Sequence, residues 1–315
     1  MSSNGDKSAI LVIKLGALGD FIQALGPMKA IRDHHPSAYI TLLTTPPFEA
    51  LARQSGYIDE TWLDERPRFY QIGKWLNLRK RLRSGGFGRV YDLQTSDRSS
   101  SYFRLFPSTE KPEWSGIAKG CSHPHANPER NFMHTQDRQR EQLAMAGIRT
   151  VKPSDLSGLK SDLSDFKLPP IFALLIPGGA PHRPAKRWPI ARYAELAAHL
   201  NVCGITPVVL GSNAESDLAH EITVSTPQAI DLTGKTSLLE IAPLATKAIF
   251  AIGNDTGPMH MAAAAGCPSV VLFSNESNPD LCAPRSEKTT IIHRPDLSDL
   301  SLKEVLKSLP LSSPD

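Results

Sequence analysis

The stretch Gly253-Asn254-Asp255-Thr256-Gly257-Pro258-Met259-His260 follows an apolar run, Ala248 to Ile252, and leads into Met259 to Ala265, which reads as a short helix. Gly266 and Pro268 stop that helix, and Ser269 to Phe273 reads as a second buried strand. Strand, tight turn, helix, strand is the core of a βαβ unit. Pro258 suits the first helical position, Asp255 or Thr256 can cap the helix, and Gly257 lets the backbone come close to a ligand. A helix N-terminus placed this way offers free N–H groups at the C-terminal end of a parallel sheet, where phosphates bind. An ordinary capped turn would have the same geometry.

The chain opens with the same grammar. Ser8 to Lys14 reads as a buried strand, Leu15 to Asp20 as a glycine-bearing turn, and Phe21 to Asp33 as a helix that Gly26-Pro27 should kink. Tyr39 to Leu43 and Ile58 to Leu63 read as strands, with a short helix at Phe48 to Gln54. From Arg66 to Arg104 ten Lys and Arg residues face only Asp92 and Asp97. Trp75, Leu76, Leu78 and Leu82 give one helix there an apolar side on a basic background. That run is either a solvated helix face or a docking surface for an anionic partner, including an anionic membrane surface. Val90 to Gln94 ends a strand, Thr95 to Arg98 follows as loop, and Pro107 to Asn131 reads as one long loop. His123, His125 and His134 match no zinc spacing and read as surface histidines. Thr135 to Ala146 reads as a polar helix.

The second half restarts with the strand Ile171 to Ile176, the glycine turn Pro177-Gly178-Gly179-Ala180 and a basic turn from Arg183 to Pro189. A helix from Ile190, a strand Thr206 to Leu210, a helix Ser216 to Val224 and an extended Ala229 to Leu232 follow. Ser237 and Glu240 form a capping-box pattern, and Leu297 to Leu309 reads as a last amphipathic helix before a frayed tail, Pro310 to Asp315. The expected architecture is α/β, two Rossmann-like domains facing each other across a cleft: residues 8–152, a linker 153–170, and residues 171–309.

Of the 315 residues 40% are hydrophobic and 21% charged, with a net charge of +3, which is ordinary for a globular protein and too mild to argue for nucleic acid. Cys121, Cys203, Cys267 and Cys282 show no CxxC spacing and read as reduced thiols of a cytoplasmic protein. The polar N-terminus, residues 1–7, does not read as a secretory signal, and no apolar run reaches the roughly 18 residues of a membrane span. The first turn is not GxGxxG, which disfavours a nicotinamide enzyme, and there is no Walker A sequence.

Three loops of the second domain should share one sheet edge. Gly178, Gly179 and Lys186 supply amides and a cation, Glu215 a carboxylate, and Asp255 to Gly257 a helix N-terminus. Cation plus amides suits a diphosphate that gains charge as it leaves, and a carboxylate suits ribose hydroxyls. No carboxylate cluster stands out for Mg²⁺, so neither metal nor cofactor is expected. Asp20, at the first-domain turn, is either a general base for an attacking hydroxyl or a helix cap.

The segments 13–20, 184–189 and 253–260, and also Val90-Tyr91-Asp92-Leu93-Gln94, resemble the heptosyltransferases, glycosyltransferase family 9. The resemblance runs from Ile10 to about Leu281. It implies a GT-B fold and inverting, metal-independent transfer from a nucleotide sugar, typically ADP-heptose, to the lipopolysaccharide inner core. By position Asp20 resembles the catalytic base, Lys186 the diphosphate lysine and Glu215 the ribose ligand. Asp255, Thr256, Gly257 and His260 resemble the donor-binding turn, and Gly19, Gln94 and Arg98 fall on the acceptor side. Where family members carry hydroxyls after the second-domain strand, this chain has Gly178-Gly179-Ala180 and Pro181-His182-Arg183, so amides and Arg183 would hold the donor phosphates. Ser274-Asn275-Glu276-Ser277 stands where Gly-Pro-Thr is frequent, which leaves the sugar open. The implied partners are a nucleotide sugar and an anionic glycolipid, met at the inner face of the inner membrane. A protein or another glycan as acceptor, and a non-catalytic nucleotide-sugar binding module, are the alternatives.

Overall fold

The computed structural model describes residues 8–180 and 182–311. The expectations for residues 1–7, for Pro181 and for the end of the tail therefore lie outside the described residues. The chain forms two compact units that divide between Ser154 and Asp155.

The first unit runs β1 (Ala9–Ile13), α1 (Leu18–His34), β2 (Tyr39–Thr44), α2 (Glu49–Gln54), β3 (Glu60–Leu63), α3 (Ile72–Ser84), β4 (Arg89–Asp92), α4 (Asp97–Tyr102), β5 (Glu113–Gly116), β6 (His123–Pro124) and α5 (Thr135–Met145). Its sheet has the order β3-β2-β1-β4-β5-β6 and every pairing is parallel. A central strand of a parallel sheet is covered on both faces and reads as a continuous apolar run. Ile10 to Ile13 fit this, each at most 1% exposed, and each such side chain contributes about 1.5–3 kcal/mol by burial.

The second unit runs β7 (Phe172–Ile176), α6 (Ile190–Val202), β8 (Thr206–Val209), α7 (Ser216–Ser225), β9 (Ile230–Asp231), α8 (Leu238–Lys247), β10 (Ala251–Asn254), α9 (Gly257–Ala264), β11 (Ser269–Phe273), α10 (Pro279–Cys282), β12 (Thr289–His293) and α11 (Leu302–Ser308). Its parallel sheet has the order β12-β11-β10-β7-β8-β9. Read from β7 as the first strand, this is the same doubly wound order as in the first unit. Each sheet therefore has a topological switch point, between β1 and β4 and between β7 and β10. Ligands bind at the carboxyl ends of the strands there. The α/β class and the two Rossmann-like units, the pattern of GT-B proteins, stand as expected.

Several local expectations are corrected. The long loop from Pro107 to Asn131 contains β5 and β6. They are only four and two residues long, and β5 is fixed by Trp114, which packs against Phe103 and Phe106. Arg98 lies in α4 rather than in a loop, because Ser96 and Ser99 form a capping box that starts the helix. His125 and His134 are buried, not on the surface. The His125 ring accepts from Arg130 Nε (3.1 Å) and lies 3.4 Å from Glu141, while His134 Nδ1 caps α5 through Gln136 N–H (3.1 Å). Leu76 is exposed, because only Leu78 and Leu82 of α3 are buried. The last helix is broken into a 3₁₀ turn, Leu297–Asp299, and α11, each started by its own cap, Asp296 and Ser301.

Helix α1 continues through Pro27, and Gly26 explains a neighbouring contact. Gly26 N–H donates to Ser154 Oγ (3.0 Å), and a Cβ at Gly26 would fall against Lys152 O. Alanine in a helix interior is ordinarily favoured over glycine by about 1 kcal/mol. Here overpacking, typically about 1–3 kcal/mol, opposes it. Gly26→Ala should therefore lower the thermal midpoint of unfolding, and a midpoint at or above wild type would show that the segment 152–154 yields.

Candidate functional site

The first unit gathers its titratable groups at the β1/β4 switch point. Lys14 directly follows β1, Asp20 lies in the first turn of α1, and Gln94 and Thr95 follow β4. Helix α1 starts at Leu18, three residues before the expected start, and Ala17 occupies its N-cap, so Asp20 is not the cap. Its carboxylate, half-buried, lines a polar cavity of about 120 Å³ together with Lys14, Gln94, Thr95, Arg130 and Arg138. Three cations thus surround one carboxylate. Gln94 accepts from Leu15 N–H (2.8 Å), which ties the two switch-point loops together. Gly19 sits in the same first helical turn. Arg98 lies apart from this cavity lining. It donates to Pro67 O (3.2 Å) and stacks over Trp75.

Beneath the cavity Asp92 is fully buried. Its Oδ1 accepts from Gln94 N–H (3.1 Å) and Thr95 N–H (2.9 Å), while Oδ2 is buried without a hydrogen-bond partner among the described residues. Burial pushes its carboxyl up to about 6, against the pull of those hydrogen bonds. Burial also lowers the Lys14 ammonium, which Asp20 and Asp92 partly counter. Its amine donates to Leu93 O (3.3 Å).

The second unit builds its site at the β7/β10 switch point. Lys186 ends a 3₁₀ turn, Pro184–Lys186, and donates to Asp255 Oδ2 at 2.6 Å. Asp255 directly follows β10. The side chains of Lys186 and Asp255 are 13% and 10% exposed, so the pair is largely withdrawn from water. Ser277 Oγ donates to the same carboxylate oxygen (2.7 Å), and His260 Nε2 lies 3.7 Å from Oδ1. Burial alone would raise the Asp255 carboxyl. The His260 ring, Lys186 and Ser277 outweigh it and hold the group well below the usual carboxylate range.

Thr256 stands at the N-cap of α9, yet neither it nor Asp255 caps the helix with its side chain. Thr256 Oγ1 and His260 Nδ1 are buried and have no hydrogen-bond partner among the described residues. Pro258 has no N–H, and the N–H groups of Met259 and His260 close back on Thr256 O (3.1 and 3.3 Å). The amides of Thr256 and Gly257 head the helix. A paired cation, helix amides and two unpartnered polar atoms make a site suited to an anion.

Asn254, not singled out from the sequence, holds this arrangement. Its Nδ2 donates to Pro177 O (2.8 Å) and Gly178 O (3.0 Å), and its Oδ1 accepts from Trp188 N–H (2.9 Å) and Tyr193 OH (3.2 Å). One buried amide thereby fixes the glycine loop after β7 to the end of β10. A polar residue closing an apolar strand was the available signal, and so was Ser277 in the unusual segment after β11. Glu215 completes a capping box with Ser212, and its carboxylate lies where a Cβ at Gly178 would stand, 2.9 Å from Oε1. Gly178 is thus a close-approach glycine. Gly179 O accepts from Arg187 Nη2 (2.6 Å), and Arg183 reaches Glu276 O (3.4 Å) on the exposed side. The structure therefore brings together Gly178, Gly179, Lys186, Glu215, Asp255, Thr256, Gly257 and His260 around one switch point. Among the described residues no three His, Cys, Asp or Glu side chains are grouped to hold a metal ion.

The family model described as glycosyltransferase family 9 (heptosyltransferase) matches residues 75–309. The chain belongs to glycosyltransferase family 9. This family 9 chain is 37% identical over 119 residues to lipooligosaccharide heptosyltransferase 2 of Haemophilus influenzae. That match covers 36% of this chain and 34% of the relative, so it spans about a third of the relative's length. The fold of ADP-heptose LPS heptosyltransferase II from E. coli covers 95% of this chain and 97% of its own, with a TM-score of 0.76 at 23% identity. A family 9 glycosyltransferase from Veillonella parvula gives a TM-score of 0.81 at 22% identity, covering 96% of each chain.

Asp92 yields a test of the first switch point. Its folded carboxyl, at about 6, lies above the ordinary 3.8, so the fold prefers the neutral form. The associated stability is complete below pH ~4 and is lost as pH rises through ~6. Relative to Asp92→Asn, the wild type should lose about 3 kcal/mol of unfolding free energy between these limits and neutral pH. Denaturant titrations of both proteins across that range measure it, and a wild type that gains on the variant would show that Lys14 stabilises the ionised form instead.

Proposed function

We propose that this family 9 protein transfers heptose from ADP-heptose to an anionic lipopolysaccharide inner-core acceptor, with inversion and without a metal. The observation that carries the reading is the Lys186–Asp255 pair at the head of α9, beside Thr256 Oγ1 and His260 Nδ1, which have no hydrogen-bond partner among the described residues. A diphosphate there would meet one cation and the amides of Thr256 and Gly257. Arg183 and the Gly178-Gly179 amides would replace the hydroxyls found in other family members. Glu215 would take the ribose hydroxyls. The relatives' names, heptosyltransferase and ADP-heptose heptosyltransferase, support the choice of donor and acceptor.

In this reading Asp20 takes the proton of an acceptor hydroxyl. The oxygen forms a bond to the anomeric carbon as the bond from that carbon to the diphosphate oxygen breaks. The electron pair leaves with the diphosphate, where Lys186 and the helix amides stabilise the new charge. A single displacement inverts the anomeric centre. Lys14, Arg130 and Arg138 line the cavity with Asp20 and suit an acceptor that carries carboxylates or phosphates. Gln94 lines the same cavity, Gly19 would approach the acceptor from the turn before Asp20, and Arg98 would meet it farther out. A lipid-borne acceptor would place the protein at the cytoplasmic face of the inner membrane. Among the described residues no helix is long and apolar enough to cross a membrane.

Calorimetric titration with ADP, UDP and GDP in the absence of metal tests the donor assignment. ADP should bind and the other two should not, and a preference for UDP or GDP would remove heptose from the reading. Lys186→Ala should weaken ADP by about tenfold or more, as expected for loss of a charge-assisted contact. Unchanged affinity would sink the lysine's role.

Asp20→Asn should lower turnover on lipopolysaccharide core acceptors by about 10²–10⁴-fold, the usual worth of a general base. ADP binding should stay at the wild-type value. Near-normal turnover would refute the base role, and activity on a polypeptide alone would reassign the acceptor.

A further inference from the structure

Most exposed large apolar residues of the described chain are scattered singly, as is usual on a protein surface. One group is not. Phe69 (88% exposed), Tyr70 (57%), Ile72 (68%) and Leu76 (55%) fall within eight residues at the start of α3. Ile72 and Leu76 are four apart and share one face of the helix. Leu78 and Leu82 point the other way, into the core of the first unit, where Trp75 also packs. Phe69 and Tyr70 stand edge to face, with centroids 5.3 Å apart, in the turn that Gln71 N–H closes on Arg68 O (2.9 Å). The four side chains therefore form an apolar tip that the fold does not cover.

Positive charge flanks this tip along the chain. Residues 66–83 contain seven Lys and Arg and no Asp or Glu. Among the described residues Lys74 alone of them pairs with a carboxylate, Glu65 (2.7 Å), which lies just outside the run. Arg81 is held over the Trp62 ring and on Leu63 O, and Arg83 on Leu105 O, so these cations are fixed at the surface by neutral partners. Arg79 and Lys80 are exposed on the next turn after Leu76. A second copy of the chain fits this surface poorly, because a symmetric contact would set the same cations against each other. Exposed aromatics flanked by exposed cations match the boundary of an anionic bilayer, where rings sit among headgroups and cations meet lipid phosphates.

We propose that the Phe69–Leu76 tip and the cations of α3 dock the protein on an anionic membrane surface. The aromatic tip enters the headgroup layer, and Arg79 and Lys80 meet the lipid phosphates. The proposal deepens the reading of a lipid-borne acceptor but can fail independently of it, since it concerns binding to lipid without donor or acceptor.

The test is co-sedimentation of the full chain with vesicles of phosphatidylcholine alone or mixed with phosphatidylglycerol. The wild type should partition onto the anionic vesicles, lose that binding as salt shortens the screening length, and leave neutral vesicles unbound. Phe69→Ser with Ile72→Ser, and separately Arg79→Glu with Lys80→Glu, should each reduce partitioning by about tenfold or more. Val202→Ser with Val224→Ser, exposed apolar positions of the second unit, should leave it unchanged. Thermal midpoints and the ADP titration check that each variant is folded. Equal binding to neutral vesicles, no binding at all, or unaltered binding by the tip variants would overturn the proposal. So would a solution dimer that the same tip substitutions dissolve.

Discussion

The second unit depends on how a buried carboxylate is made tolerable. An ionised Asp withdrawn from water costs several kcal/mol unless charge and hydrogen bonds compensate. Asp255 meets Lys186 and Ser277 on one oxygen and faces His260 on the other. These partners come from the turn after β7, the segment after β11 and the first turns of α9. The electrostatic requirement of one side chain thus fixes three loops at once. Asn254, the preceding residue, does the same for neutral groups, joining the Pro177-Gly178 backbone to Trp188 and Tyr193. Adjacent residues at the end of β10 therefore hold the site together, one by charge and one by hydrogen bonds.

The first unit uses the same topological position differently. Its switch point carries the buried, raised Asp92 beneath a cavity where Asp20 is surrounded by Lys14, Arg130 and Arg138. In the second unit the carboxylate is saturated and its pKa is depressed. In the first, Asp92 keeps an oxygen without a hydrogen-bond partner among the described residues, and the cations of the cavity exceed its carboxylates. One sheet order thus supports two electrostatic designs. One is a satisfied anchor for a cation, and the other is a cation-rich hollow around a lone acid. In the reading proposed, the asymmetry would serve two substrates that ask for different things, charge neutralisation for a leaving diphosphate and proton removal from an anionic acceptor.

Legibility in the sequence followed the physics of each element. β1, β7 and β11 are central strands covered on both faces, so their apolar runs announced them with boundaries right to a residue or so. β10 was placed early, at Ala248 to Ile252, because its last two residues, Gly253 and Asn254, are not apolar, although the pairing continues through them. β5 and β6 escaped because strands of four and two residues leave too little pattern, and the aromatic packing that fixes Trp114 comes from distant residues. The buried histidines are hidden from the sequence for a related reason. A buried His needs partners that sequence spacing cannot show, and His125 finds them in Arg130 and Glu141. The residues around Lys186 and Asp255 were legible as a group. Their mutual ion pair was not, since the two are separated by 69 positions.

That ion pair bears on how a donor would be received. A lysine already held by a carboxylate is not an open charge waiting for phosphate, and a diphosphate must share it with Asp255. The cost of sharing would be limited, because Ser277 and His260 also contact the carboxylate and do not depend on the lysine. Their hold on Asp255, well below the usual carboxylate range, keeps it ionised at neutral pH. The lysine therefore always has an anionic anchor, and its position is set before any ligand arrives. Preorganisation of this kind matters most when charge grows late, on the oxygen of a departing group, since a cation already in place need not reorganise as the bond breaks. In that light the departure Ser274-Asn275-Glu276-Ser277 is not a loss. It provides, through Ser277, a hydroxyl on Asp255 that, in the reading proposed, would let the carboxylate share its lysine with a donor.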